Sequence, residues 1–142
     1  MVESLRFATR SRAIRSLLLQ TVLLISLGAI VGANLRFFLA QYVGKIIPGG
    51  FPYGTLVINV TGSLILGFFM ILTAEKLLVD PRWRLVIAIG FCGGYTTYSS
   101  FAFETFALFE QGQFLASSMN IVATNVLCLM GVALGAVLAR MI

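Results

Sequence analysis

The chain has 142 residues, 59% of them hydrophobic and 11% charged, a net charge of +5 and no histidine. A soluble domain cannot cover its surface with so few charges, so the class is all-α integral membrane, with length for about four spans of ~20 residues each. Without histidine the commonest general base, metal ligand and proton-relay group is missing, and the charges sit at segment ends instead of forming the basic face that nucleic acid would need.

In chain order, residues 1–16 form a basic segment with Arg6, Arg10, Arg12 and Arg15, and residues 17–142 form a single four-helix transmembrane domain. The first helix is expected from Leu17 to Tyr42. Gly44, Pro48, Gly49 and Gly50 punctuate a loop from Val43 to Phe51. The second helix is expected from Pro52 to Leu78, with proline in its first turn. A short loop, Val79 to Arg82, leads to a third segment from Trp83 to Glu110. Gln111, Gly112 and Gln113 make a tight turn, and the fourth helix is expected from Phe114 to Arg140. The start of the chain also resembles a secretory signal, four arginines followed by Leu17–Leu27 and Val31-Gly32-Ala33, but the apolar run continues past Ala33.

Orientation follows from the basic residues. Arg6, Arg10, Arg12, Arg15, Lys76, Arg82, Arg84 and Arg140 fall on one side, and only Lys45 and Arg36 lie toward the other. The positive-inside rule therefore places both termini in the cytoplasm. Cys92 and Cys128 lie within apolar segments and read as buried thiols, not as a disulfide.

The third segment carries the chief anomaly. Residues 90–101, Gly-Phe-Cys-Gly-Gly-Tyr-Thr-Thr-Tyr-Ser-Ser-Phe, form a polar, glycine-rich interruption between apolar flanks. Backbone that leaves the helix at bilayer depth persists only where protein buries it or where it lines a water or ion path. The expectation is a third helix broken at mid-membrane. Beyond it, Thr97, Ser100 and Glu104 share one helical face, and Tyr98, Phe101 and Thr105 the neighbouring one. The edges of the Tyr98 and Phe101 rings are positive, so two of them beside a hydroxyl track can hold a small anion weakly enough to release it.

Elsewhere, Thr55, Asn59 and Gly62 fall on one face of the second helix. Asn59 reads equally as an interhelical hydrogen bond or as a donor lining a pore. Arg36 reads as a positive charge at the mouth of an aqueous vestibule, against the plainer option of snorkelling to the interface. Gly28/Gly32 and Gly131/Gly135 have the Gly-x-x-x-Gly spacing of close helix contacts. Glu104 is the one acid well inside the membrane boundary. One acid without histidine makes a weak proton relay, and no nucleotide-binding motif is present, so the inventory favours a passive channel over a pump or an enzyme.

These residues resemble the CrcB/Fluc family of fluoride channels. Residues 90–101 resemble its Gly-x-x-Gly-Gly-x-Thr-Thr-Phe-Ser-Thr-Phe signature, Gly54 to Gly62 its second-helix motif, and Gly28 to Arg36 its first-helix stretch. The resemblance implies an antiparallel, dual-topology homodimer with two pores, and a structural sodium ion (Na+) at the dimer centre held by the carbonyls of Gly93 and Thr96. It implies a fluoride pathway along Tyr98, Phe101, Asn59, Thr55, Ser99, Ser100 and Glu104. By spacing the fourth helix adds Thr124 and Asn120. Two positions depart from the family pattern: Tyr98 replaces phenylalanine and Ser100 replaces threonine. The strong charge bias also conflicts with dual insertion unless Arg6 to Arg15 count for less than the positive-inside rule assumes or an oppositely oriented paralogue exists.

The expected function is therefore passive export of cytoplasmic fluoride, lowering its toxicity, across a bacterial inner membrane. The alternatives are a small proton-coupled multidrug exporter, which would need an acid where the first helix has Arg36, and a non-conducting assembly subunit, which would not need the hydroxyls at 96–100.

Overall fold

A computed structural model describes residues 2–75 and 80–142, with side chains from Ile14 onward except that of Pro81. Four helical stretches are long and apolar enough to cross a bilayer: Ile14–Ile46, Tyr53–Glu75, Arg84–Glu110 and Phe114–Arg140. Their outer faces are apolar and exposed, as lipid contact requires; Leu23, Phe38, Phe103 and Leu129 are each more than half exposed.

The first helix runs unbroken over Val2–Ile46. It exceeds the expected Leu17–Tyr42 at both ends, since Gly44 only weakens a helix and Pro48 is the first residue that cannot continue it. The second helix covers Tyr53–Glu75, its first turn resting on the Pro52 carbonyl, 3.1 Å from the amide of Leu56. Its expected continuation to Leu78 lies outside the described residues.

The third segment starts earlier than expected. Pro81 and Arg82, read from sequence as loop, belong to a short helical turn, Pro81–Trp83. Asp80 caps it, accepting from the Arg82 amide through its side chain at 2.8 Å and from the Trp83 amide through its carbonyl at 2.9 Å. A π-helical stretch, Arg84–Phe91, follows and leads into Cys92–Tyr95. Stretches this wide are rare and recur at functional sites.

Thr96 (ψ 159°) and Thr97 (φ −153°, ψ 108°) are then extended, and a new helix runs over Tyr98–Glu110. Of residues 90–101 only these two leave the helix. The glycines before them stay helical, and among the described residues only Gly112, in the turn before the last helix, has a positive φ. That last helix covers Phe114–Arg140.

Glycines set the packing. A Cβ on Gly28 would lie 1.9 Å from the Val86 carbonyl, and one on Gly32 2.3 Å from that of Phe91. Gly90 and Gly94 reciprocate against Ile25 and Ala29 of the first helix. Two Gly-x-x-x-Gly faces thus interlock the first helix with the first half of the third segment. Gly131 and Gly135 do the same against Val60 and Leu64 of the second helix, and Gly67 meets Val132. Close backbone contact takes the place of the hydrophobic effect, which cannot drive helices together in lipid.

Candidate functional site

The site is built around the two extended residues. An interrupted helix leaves orphan N–H and C=O groups, each costing several kcal/mol in hydrocarbon if unmet. Asn59 meets both backbone groups of Thr97. The Thr97 amide donates to Asn59 Oδ1 at 2.8 Å, and Asn59 Nδ2 donates to the Thr97 carbonyl at 3.1 Å. Both residues are buried. Thr97 in turn caps the new helix, its Oγ1 accepting from the Ser100 amide at 3.2 Å and donating to Ser100 Oγ at 3.0 Å. Asn59 thus makes the interhelical hydrogen bonds, and it also stands in the wall of the cavity described below.

This arrangement bears on the carbonyls. In a continuous helix the Thr97 amide would bond the Gly93 carbonyl, and the Ser100 amide the Thr96 carbonyl. Both amides are engaged by side chains instead. Gly93 is exposed, and a Cβ built on it meets nothing within 4 Å. Gly93 is not held in a conformation closed to other residues: its φ is not positive and its surroundings within the chain are open.

The second helix fits closely at this level because Gly62 has no side chain. A Cβ there would fall 2.3 Å from the Thr96 methyl and 3.1 Å from the Tyr95 ring. Tyr95 is buried, stacked on Phe91 with centroids 5.3 Å apart, and its hydroxyl reaches Thr61 at 2.9 Å.

A cavity of about 280 Å³ opens beside the extended residues. Asn59, Thr96, Tyr98, Phe101 and Thr124 are among its walls, together with Ser63, Asn125 and Cys128. Tyr98 and Phe101 also border a second cavity of about 380 Å³, lined further on by Thr105, Ser117 and Asn125. The two rings, with centroids 5.4 Å apart and tilted by 55°, thus stand between two spaces. They are not equivalent: Phe101 is buried, whereas Tyr98 is 77% exposed on the outer face of this chain.

The other candidates lie apart from that focus. Thr55 donates to Glu104 Oε1 at 2.8 Å, and Glu104 Oε2 is buried with no partner. Ser99 is exposed, its Oγ 3.3 Å from Thr97 Oγ1. Asn120 is buried, donating to Thr105 Oγ1 at 2.8 Å and accepting from Thr124 at 3.3 Å. Arg36 is half-buried in the first helix, ten residues before that helix ends. Ser63 and Asn125 line the cavity but lie outside the sequence motifs. The rule that drew attention to Asn59, a polar side chain inside an apolar helix, applies equally to Asn125.

Fold and site together define a multi-pass membrane protein organised around a helix interrupted at Thr96 and Thr97, the second of them buried. A family model described as CrcB-like protein, Camphor Resistance (CrcB), matches residues 23–136, and the chain belongs to that family. It is 51% identical over 118 residues to a protein of Koribacter versatilis, covering 83% of this chain and 94% of the relative. It is 44% identical over 124 residues to one of Sulfurihydrogenibium sp., covering 87% and 100%. A third relative, of Paramagnetospirillum magneticum, is 42% identical over 124 residues, covering 86% and 97%. Each relative is named fluoride-specific ion channel FluC, a channel's name and not an enzyme's.

Proposed function

We propose that this chain is a passive, fluoride-selective channel that exports the ion from the cytoplasm across a bacterial inner membrane. One observation carries the reading: between apolar membrane-spanning helices, Asn59, Thr96 and Thr124 converge with the Tyr98 and Phe101 rings on one cavity. The names of the relatives supply the ion. Ring edges and hydroxyls offer positive potential without a full charge, so binding stays weak enough for release. A negative-inside potential drives an anion outward with about 2.3 kcal/mol per charge per 100 mV, and no other energy source is needed. Lower cytoplasmic fluoride, and so lower toxicity, follows. Ser99, Ser100, Thr55 and Glu104 extend the polar path, and Arg36 raises the local anion concentration at its mouth.

The working unit in this reading is an antiparallel dimer, with the interrupted helices at mid-membrane. Support comes from Gly93 and Tyr98, which face outward from the single chain around the site. The Gly93 and Thr96 carbonyls, whose usual helical donors are engaged elsewhere, fit a hard cation such as structural sodium shared between copies. Such an ion supplies positive charge to carbonyls whose usual helical donors are turned to side chains. The charge bias of the chain leaves an oppositely oriented paralogue as the alternative partner.

Efflux from liposomes tests the function. Vesicles holding only the purified protein and loaded with potassium fluoride should empty when a potassium ionophore is added. Equal efflux of chloride refutes the selectivity, and absence of fluoride efflux refutes the channel.

A further inference from the structure

We propose that the arginines of the N-terminal helix dock on anionic phospholipid headgroups of the leaflet on that side of the membrane. The proposal does not depend on which ion the protein conducts. It concerns a segment that precedes the family match, which begins at residue 23.

Residues 1–16 hold four arginines against a single acid, Glu3. They are not a separate tail: the helix of the first span continues through them without interruption to Val2. Continuity fixes their height. Arg15 and Lys45 stand thirty residues apart on one helix, about 45 Å at ~1.5 Å per residue. That matches the bilayer with both headgroup layers, about 40–45 Å. Lys45 then marks one headgroup layer and Arg15 the other. Between them, Leu17, Leu18 and Leu19 are each at least 60% exposed, an apolar collar suited to lipid and not to water.

Beyond Arg15 the same rise places Arg12 and Arg10 within about 8 Å, one Debye length at physiological salt, and Arg6 about 14 Å out. On a 3.6-residue repeat Arg6 and Arg10, four apart, fall on one side of the helix and Arg12 and Arg15, three apart, on nearly the opposite one, so headgroups can approach from both. Exposed Arg82 and Arg84, where the third segment enters, add to the same surface. Arg140 contributes less, because Glu75 pairs with it at 2.9 Å. A basic cluster flanking a spanning helix attracts anionic lipid, each residue strengthening the attraction about five-fold. Guanidinium also matches phosphate through paired N–H donors.

The test is native mass spectrometry of the full chain in detergent, titrated with an equimolar mixture of phosphatidylglycerol and phosphatidylcholine. Wild type should retain the anionic lipid preferentially. The quadruple variant R6Q/R10Q/R12Q/R15Q should lose roughly ten-fold or more of that preference, as removal of several such charges implies. R6K/R10K/R12K/R15K should keep most of it. No preference in wild type overturns the proposal, as does a glutamine variant that keeps the wild-type ratio. A lysine variant that falls as far as the glutamine variant also overturns it, since charge would then not be the cause.

Discussion

Replacing Asn59 probes the point where fold and proposed function meet. Its side chain holds both backbone groups of Thr97, at 2.8 and 3.1 Å, and both residues are buried. Asn59→Leu keeps the approximate volume and removes both bonds. Two buried backbone groups left unmet cost about 1–3 kcal/mol each, so the expected loss is about 2–6 kcal/mol. Asn59→Asp differs in a useful way. It keeps the acceptor for the Thr97 amide, loses the donor to the Thr97 carbonyl, and places negative charge in the wall of the cavity. The expected loss of stability is at least about 1–3 kcal/mol, the cost of one unmet carbonyl, and the buried carboxylate facing that carbonyl adds to it. Anion flux should nevertheless vanish, because a carboxylate there repels an anion with little dielectric screening. Thermal unfolding in detergent, followed by near-ultraviolet circular dichroism, reads the first quantity. Fluoride efflux from liposomes reads the second. An aspartate variant with wild-type stability and wild-type efflux would refute both the clasp and the role of Asn59 in the cavity.

Glycine replacements should separate packing within the chain from pairing between chains. Gly28→Ala pushes a methyl group into the Val86 carbonyl and should lower stability by about 1–3 kcal/mol, measured by thermal unfolding. Gly93→Val meets nothing within the chain, so the subunit should fold; size-exclusion chromatography with cross-linking should show loss of the dimer, and an intact active dimer would remove Gly93 from the interface. Insertion can be read from Gly49→Cys in a background lacking Cys92 and Cys128. Labelling of about half the molecules from outside cells fits dual insertion, whereas labelling of all of them requires an oppositely oriented partner.

Much of the fold is legible in the sequence because hydrocarbon is a demanding solvent. The fourth helix matches its expected bounds, Phe114–Arg140, since Gly112 and its flanking glutamines are unambiguous turn residues. The C-terminal end of the first helix is not legible because Gly44 looks like a stop and is only a weak helix former inside a long helix. Asp80 and Pro81 show the reverse: the pair looks like loop in sequence, but a cap followed by proline starts a helix.

The site was legible in kind but not in extent. Glycines and hydroxyls marked twelve residues as irregular, and only Thr96 and Thr97 are extended. The difference has a physical source. Glycine in a membrane segment signals either flexible backbone or close approach, and sequence alone does not separate the two. Gly90 and Gly94 serve close approach, seated against Ile25 and Ala29. The interruption itself depends on an acceptor 38 residues upstream. Without Asn59 the Thr97 amide would have the Gly93 carbonyl as its natural partner, and the helix could close. Locating the two extended residues thus requires knowing which side chain of the second helix faces them. The same contact couples the features most relevant to the proposed function: one asparagine takes the Thr97 amide away from the Gly93 carbonyl and also stands in the wall of the cavity that Tyr98 and Phe101 line.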